Sequence, residues 1–136
     1  MDTDVANEVE PKWEPEEIPD EDLLFMRVHR DYLDDDGEPI PQAFRNRPPR
    51  TGGMSTDWRK YSTAEETMGR ARDRTANILI ELLTGAVRKI PNQSVAHTPD
   101  IENNNRAHTD VFGEKKPVEI RERFMQIYRK VPLENL

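Results

Sequence analysis

The first dense apolar run along the chain is Leu23-Leu24-Phe25-Met26-Arg27-Val28-His29, made largely of strand formers. Turn signals bound it on both sides, Ile18-Pro19-Asp20-Glu21-Asp22 before and Asp34-Asp35-Asp36-Gly37 after. This pattern predicts a buried strand over residues 23–29. A helix capped by Asp20 is the alternative. On a strand, Arg27 and His29 share a face and point away from Met26 and Val28. Pro39 and Pro41 keep the next piece extended, and residues 42–45 read as a short strand with Phe44 inward. Pro48-Pro49 and Gly52-Gly53 mark residues 46–53 as a loop. Residues 54–58 read as another short strand.

Ser62 and Thr63 stand three residues before Glu65 and Glu66, the offset of a capping box. A helix is expected over about residues 64–72. Ile78-Leu79-Ile80 favours a strand by its branching, while Leu82, Leu83, Ala86 and Val87 recur at helical spacing. The reading is a strand near residues 76–80, then a helical turn near residues 82–89. Val95-Ala96-His97 and the alternating residues 107–112 predict two more strands, the second ended by Gly113. Pro117 suits a first helical turn. Ile120, Phe124, Ile127 and Val131 then recur at spacings of four, three and four, one face of a helix that Pro132 stops. The expected fold class is α+β, a small mixed sheet of short strands with a C-terminal amphipathic helix packed on it.

Charge changes this picture at one end. Residues 1–38 carry 15 acids against 3 bases, and residues 39–136 carry 12 acids against 17 bases. Residues 1–17 alone hold seven acids and little apolar material, too little to offset ordering entropy. The expected organisation is therefore an acidic disordered arm over residues 1–17 and one α+β domain over residues 18–136. Mean hydropathy is -0.94, in keeping with chain outside the core. There is no cysteine, which excludes disulfides and thiolate metal sites. No basic-then-apolar start marks a signal peptide, and no apolar run approaches the roughly 20 residues of a membrane span. These features place the protein in the cytoplasm, with no membrane association expected.

Candidate chemistry is scattered. His29, His97 and His108 stand at predicted strand ends without HxH or HExxH spacing, so no metal and no cofactor are expected. Arg27 and His29, side by side on one strand face, suit a phosphate or carboxylate, with His29 as acid or base. Ser55 and Asp57 are candidates to join His29 or His108 in a nucleophilic group, although no GxSxG elbow is present. Arg45, Arg47, Arg50, Arg59, Lys60, Arg70, Arg72 and Arg74, with Trp58 and Tyr61 among them, form the basic concentration. Such interleaving suits single-stranded nucleic acid, against which the acidic arm would compete. Gly52-Gly53 lacks the GK[ST] that completes a phosphate loop.

Four short segments together carry a resemblance. They are Ile18-Pro19-Asp20-Glu21-Asp22-Leu23-Leu24 leading to Arg27-Val28-His29, then Ala43-Phe44, then Met54-Ser55-Thr56-Asp57, then Asn105-Arg106-Ala107-His108 before Val111 and Gly113. Over residues 18–113 this resembles a family of small uncharacterised bacterial proteins. The resemblance implies no activity. It implies that Arg27, His29, Ser55, Asp57 and His108 belong to one framework.

Three functional readings follow. The first is a small accessory protein that binds another protein through Trp13 of the arm or the helix face of Ile120, Phe124 and Ile127. The second is a small enzyme or anion-binding domain. Arg27 would hold the anion, His29 or His108 would act as acid–base, and Ser55 or Asp57 would orient the ligand. It requires these side chains to meet. The third is single-stranded nucleic-acid binding through the residue 45–74 patch.

Overall fold

A computed structural model describes residues 13–47 and 52–133 of the chain. Six strands form the sheet: β1 (Leu23–His29), β2 (Met54–Trp58), β3 (Asn77–Leu83), β4 (Ser94–His97), β5 (His108–Phe112) and β6 (Arg129–Lys130). Their order is β4-β5-β2-β1-β3-β6, and every pairing is antiparallel. Among the described residues three α-helices accompany them: α1 (Ala64–Gly69), α2 (Thr84–Arg88) and α3 (Val118–Ile127). The α+β class and the C-terminal helix over the sheet are as the sequence pattern predicts.

Alternation along the strands divides the sheet into two unlike faces. Leu24, Met26, Val28, Met54, Trp58, Ile80, Leu82 and Val111 point into the main core, where Phe44, Val87, Ile90, Ile120 and Phe124 cover them. Phe124 is fully buried and stacks on Phe44, with ring centroids 5.2 Å apart and planes 11° apart. On the opposite face Phe25 and Leu79 make a small second cluster with Met68 of α1. Val131 and Leu133 pack against that cluster, and toward β2 and β5 the face turns polar with Arg27, Ser55, Asp57, His108 and Asp110.

The ends of several elements differ from the periodicity reading. Phe44 is inward as expected, but Pro41–Ala43 before it is a single 3-10 turn rather than a strand, begun by a proline whose φ suits a helical first turn. β3 runs on to Leu83 because all seven of its residues are registered against β1, and Leu82 opposite Leu24 is buried. The helical spacing around Leu82 therefore gives way to the longer ladder. The capping box forms at Thr63 and Glu66, and α1 stops at Gly69, short of the expected residue 72. α3 ends at Ile127, so Val131 is not on its face. The chain extends there and adds β6 to the outer edge of β3, with Val131 N–H donating to the Leu79 carbonyl at 2.9 Å. Lys130 meets Glu38 and Arg129 meets Glu81, which ties this edge down.

Of the expected acidic arm, residues 1–12 lie outside the described residues. Residues 13–17 form neither helix nor strand, yet Glu16 is bound to the body. Its carboxylate meets Lys60 at 2.8 Å, the Tyr61 hydroxyl, and Arg106 at 3.7 Å. Its backbone N–H donates to Nδ1 of the buried His97. Lys60 and Tyr61 together hold the Glu16 carboxyl below its usual range. Trp13 is half-buried.

Candidate functional site

The polar face carries a groove of about 1180 Å³. β1 and β2 are registered at Leu24 with Trp58 and Phe25 with Asp57. The groove takes Met26 and Val28 from β1 and Met54 and Thr56 from β2 into its lining as well, so it runs between the two strands beyond that row. Arg27, His29, Ser55, Asp57 and His108 all line it. The sequence reading required these side chains to share a place, and they share one face of the sheet.

Their roles within it diverge. Asp57 is 5% exposed and is an anchor. Its Oδ2 accepts from Thr67 Oγ1 at 2.9 Å and Arg70 Nη1 at 2.7 Å, and its Oδ1 accepts from Asn105 Nδ2 at 2.9 Å. A carboxylate so occupied ties α1, β2 and the loop before β5 together, rather than standing ready as a base. Arg27 donates from Nη1 to the Thr67 carbonyl at 2.7 Å, one of the five N–H groups of a guanidinium. Burial holds its proton affinity below the usual value. Asp57 opposes that effect, while Arg47 and Arg70 add to it.

His108 is in contact with Ser55, Nε2 to Oγ at 3.3 Å. Its Nδ1 faces the Thr98 carbonyl at 3.1 Å and the Thr98 hydroxyl at 3.0 Å. That hydroxyl donates its proton to Asp110 Oδ2 at 2.8 Å. Both Thr98 oxygens can then only accept, which puts the imidazole proton on Nδ1 and leaves the Nε2 lone pair toward Ser55. Asp110 is fully buried, with Oδ2 3.9 Å from His108 Nδ1. The backbone at Gly53 passes so close that a Cβ there would lie 2.8 Å from the Asp110 Cβ.

His29 is at the rim, with its side chain 43% exposed. Its Nδ1 accepts from Asp31 N–H and caps the 3-10 turn at Arg30–Tyr32. It stands four residues past the row of Phe25, Asp57 and His108 and two strands away from His108. Strand rise and spacing make that about 16 Å, so the two imidazoles do not act on one atom. His97 belongs to the Glu16 contact, wedged against Trp58 and Tyr61 on the core side. Among the described residues no group of three or more His, Asp or Glu converges as metal ligands.

The remaining candidates are placed as follows. Ile120 and Phe124 are 8% and 0% exposed, and Ile127 packs against the same core. This helix face is covered by the protein itself and is not a surface for a partner. The basic concentration divides: Arg45, Arg47, Arg70 and Arg72 line the groove, and Lys60 holds Glu16. Arg50 lies outside the described residues. Trp58 is 1% exposed, and Tyr61 lies under Arg106 at 4.0 Å, so neither offers a free face for a base. Sequence reasoning missed Thr67 and Thr98. Asn105 carried a signal as part of the Asn105 to His108 segment, and Asp110 as a carboxylate two residues from His108. Comparison of the chain with family models, curated proteins and solved structures gives no match.

Proposed function

We propose that the groove binds a small anionic ligand through a phosphate or carboxylate group seated against Arg27. The observation that supports this best is the charge layout around Arg27. Arg27, Arg47 and Arg70 line the groove with Asp57, and the Asp57 carboxylate is already occupied by Thr67, Arg70 and Asn105, which leaves Arg27 and Arg47 for a ligand. Guanidinium groups suit planar or tetrahedral oxyanions through paired N–H donors. Asp31, Asp73, Asp100 and Glu102 line the same groove, and their charge disfavours a polyanion that extends along it. The ligand is accordingly small, which separates this reading from nucleic-acid binding.

Calorimetric titration of the full chain with inorganic phosphate, and separately with acetate, tests the reading. Saturable binding to at least one is expected, weakened by added salt. Arg27→Ala loses about tenfold or more in affinity, the usual worth of a hydrogen bond to a charged group. Equal affinity in Arg27→Ala, or no binding of either anion, removes the reading.

A further inference from the structure

Resting on that anion-binding reading, we propose that Ser55 and His108 form a nucleophile–base pair that hydrolyses a phosphate monoester held in the groove. Three features of the arrangement support the pair. The Ser55 hydroxyl is within reach of Nε2, at 3.3 Å, and such contacts tighten when substrate is bound. The opposite ring nitrogen is held by the Thr98 carbonyl and hydroxyl, which sets the tautomer that a general base requires. Asp110, directly across from Ser55 in the strand register, is bridged to the ring through the Thr98 hydroxyl and placed to stabilise the imidazolium that forms when His108 takes a proton. A nucleophile, a base and a carboxylate thus share one face of two paired strands, and the side chain of His108 is 14% exposed, open enough for proton transfer.

The substrate class follows from the arginines of the groove. Phosphoryl transfer places charge on three equatorial oxygens and depends mainly on positioning and electrostatic stabilisation. Arg27 and Arg47 line the groove together with Ser55 and His108, and their guanidinium groups are suited to those oxygens. In the first step Ser55 Oγ bonds to phosphorus as His108 Nε2 accepts its proton. The bond from phosphorus to the alcohol oxygen breaks, and the alcohol leaves with the proton from His108. Water then attacks the phosphoserine phosphorus and gives a proton to His108. The bond to Oγ breaks, Oγ recovers the proton, and inorganic phosphate departs. Ester and water enter, alcohol and phosphate leave, and no oxidation state changes.

The test incubates the full chain with 4-nitrophenyl phosphate and reads 4-nitrophenolate release, with intact mass of quenched samples alongside. Release by the wild type and a phosphoryl adduct on Ser55 are expected. Ser55→Ala removes the adduct and lowers turnover by about 100-fold or more, and His108→Gln does the same and flattens the pH–rate profile. Inorganic phosphate titrated into each variant reports that the groove is intact. If phosphate binds but the wild type releases nothing above buffer, or Ser55→Ala is as fast as wild type, this proposal is overturned and the binding reading survives. If acetate binds but phosphate does not, this proposal is overturned and the binding reading survives; if neither anion binds, both fall.

Discussion

Lys115 offers a prediction that can be worked through quantitatively. It is 2% exposed, and its ammonium donates to Asn46 Oδ1 at 2.5 Å, the Val111 carbonyl at 2.8 Å and the Gly113 carbonyl at 3.0 Å. Burial outweighs the attraction of Asp110 and Glu114 and pushes the group down to about 8. An unfolded lysine titrates near 10.5. Between those values the unfolded chain binds more protons than the folded one, so stability rises with pH across that window. The cost of burying the charge is fully present below the folded value and is relieved as pH climbs toward the unfolded one. Integrating that difference from about pH 8 to about pH 10 gives a gain of about 2 kcal/mol from this one group. Tyr128 works in the opposite sense but only higher: burial and Glu38 raise it from 10.0 to about 12, so its contribution falls away above pH 10. The raised Lys60 likewise loses stability only above its unfolded 10.5. The window below pH 10 therefore isolates Lys115. Urea midpoints measured across it should rise in the wild type and stay nearly level in Lys115→Met. A flat wild-type profile, or the same rise in Lys115→Met, would refute the reasoning.

Three further substitutions read other joints of the structure. Asp57→Ala leaves Arg70, Thr67 and Asn105 without their shared acceptor and should cost about 3–5 kcal/mol in urea denaturation; a loss under 1 kcal/mol or so, in the range of an exposed pair, contradicts the anchor role. Gly53→Ala forces a methyl against Asp110 at 2.8 Å and should cost about 1–3 kcal/mol, with the His108 ring resonances shifted in NMR spectra; unchanged stability together with unchanged His108 signals counts against the close approach. Phe124→Ala removes the ring stacked on Phe44 and should cost about 3–5 kcal/mol. If it instead leaves stability untouched, α3 does not cover the core.

Much of the fold was legible because strand alternation is a local signal. Arg27 and His29 could be set opposite Met26 and Val28 from the sequence alone, and the same parity places Ser55, Asp57 and His108 on one face once the register is known. The register itself was not legible, and with it the contact of Ser55 with His108, 53 positions apart. The endings that differed share one cause. Leu82 and Val131 satisfy helical spacing locally, but each lies along the ladder of β1, β3 and β6, and those backbone pairings decide the matter. Asp57 shows the same limit in chemistry. A lone Asp in a strand looks like a candidate base, and only the arrival of Thr67, Arg70 and Asn105 from distant segments makes it an anchor. Trp58 and Tyr61 looked like stacking platforms beside basic residues, yet the first is core and the second is covered.

The groove on the polar sheet face is tested most directly by mapping inorganic phosphate onto the ¹⁵N-labelled full chain by NMR. Shift changes should gather at Arg27, Ser55, Asp57, Arg70 and His108 and vanish in Arg27→Ala. Changes confined to the Glu16, Lys60 and Arg106 cluster, or no saturable changes anywhere, would contradict the account.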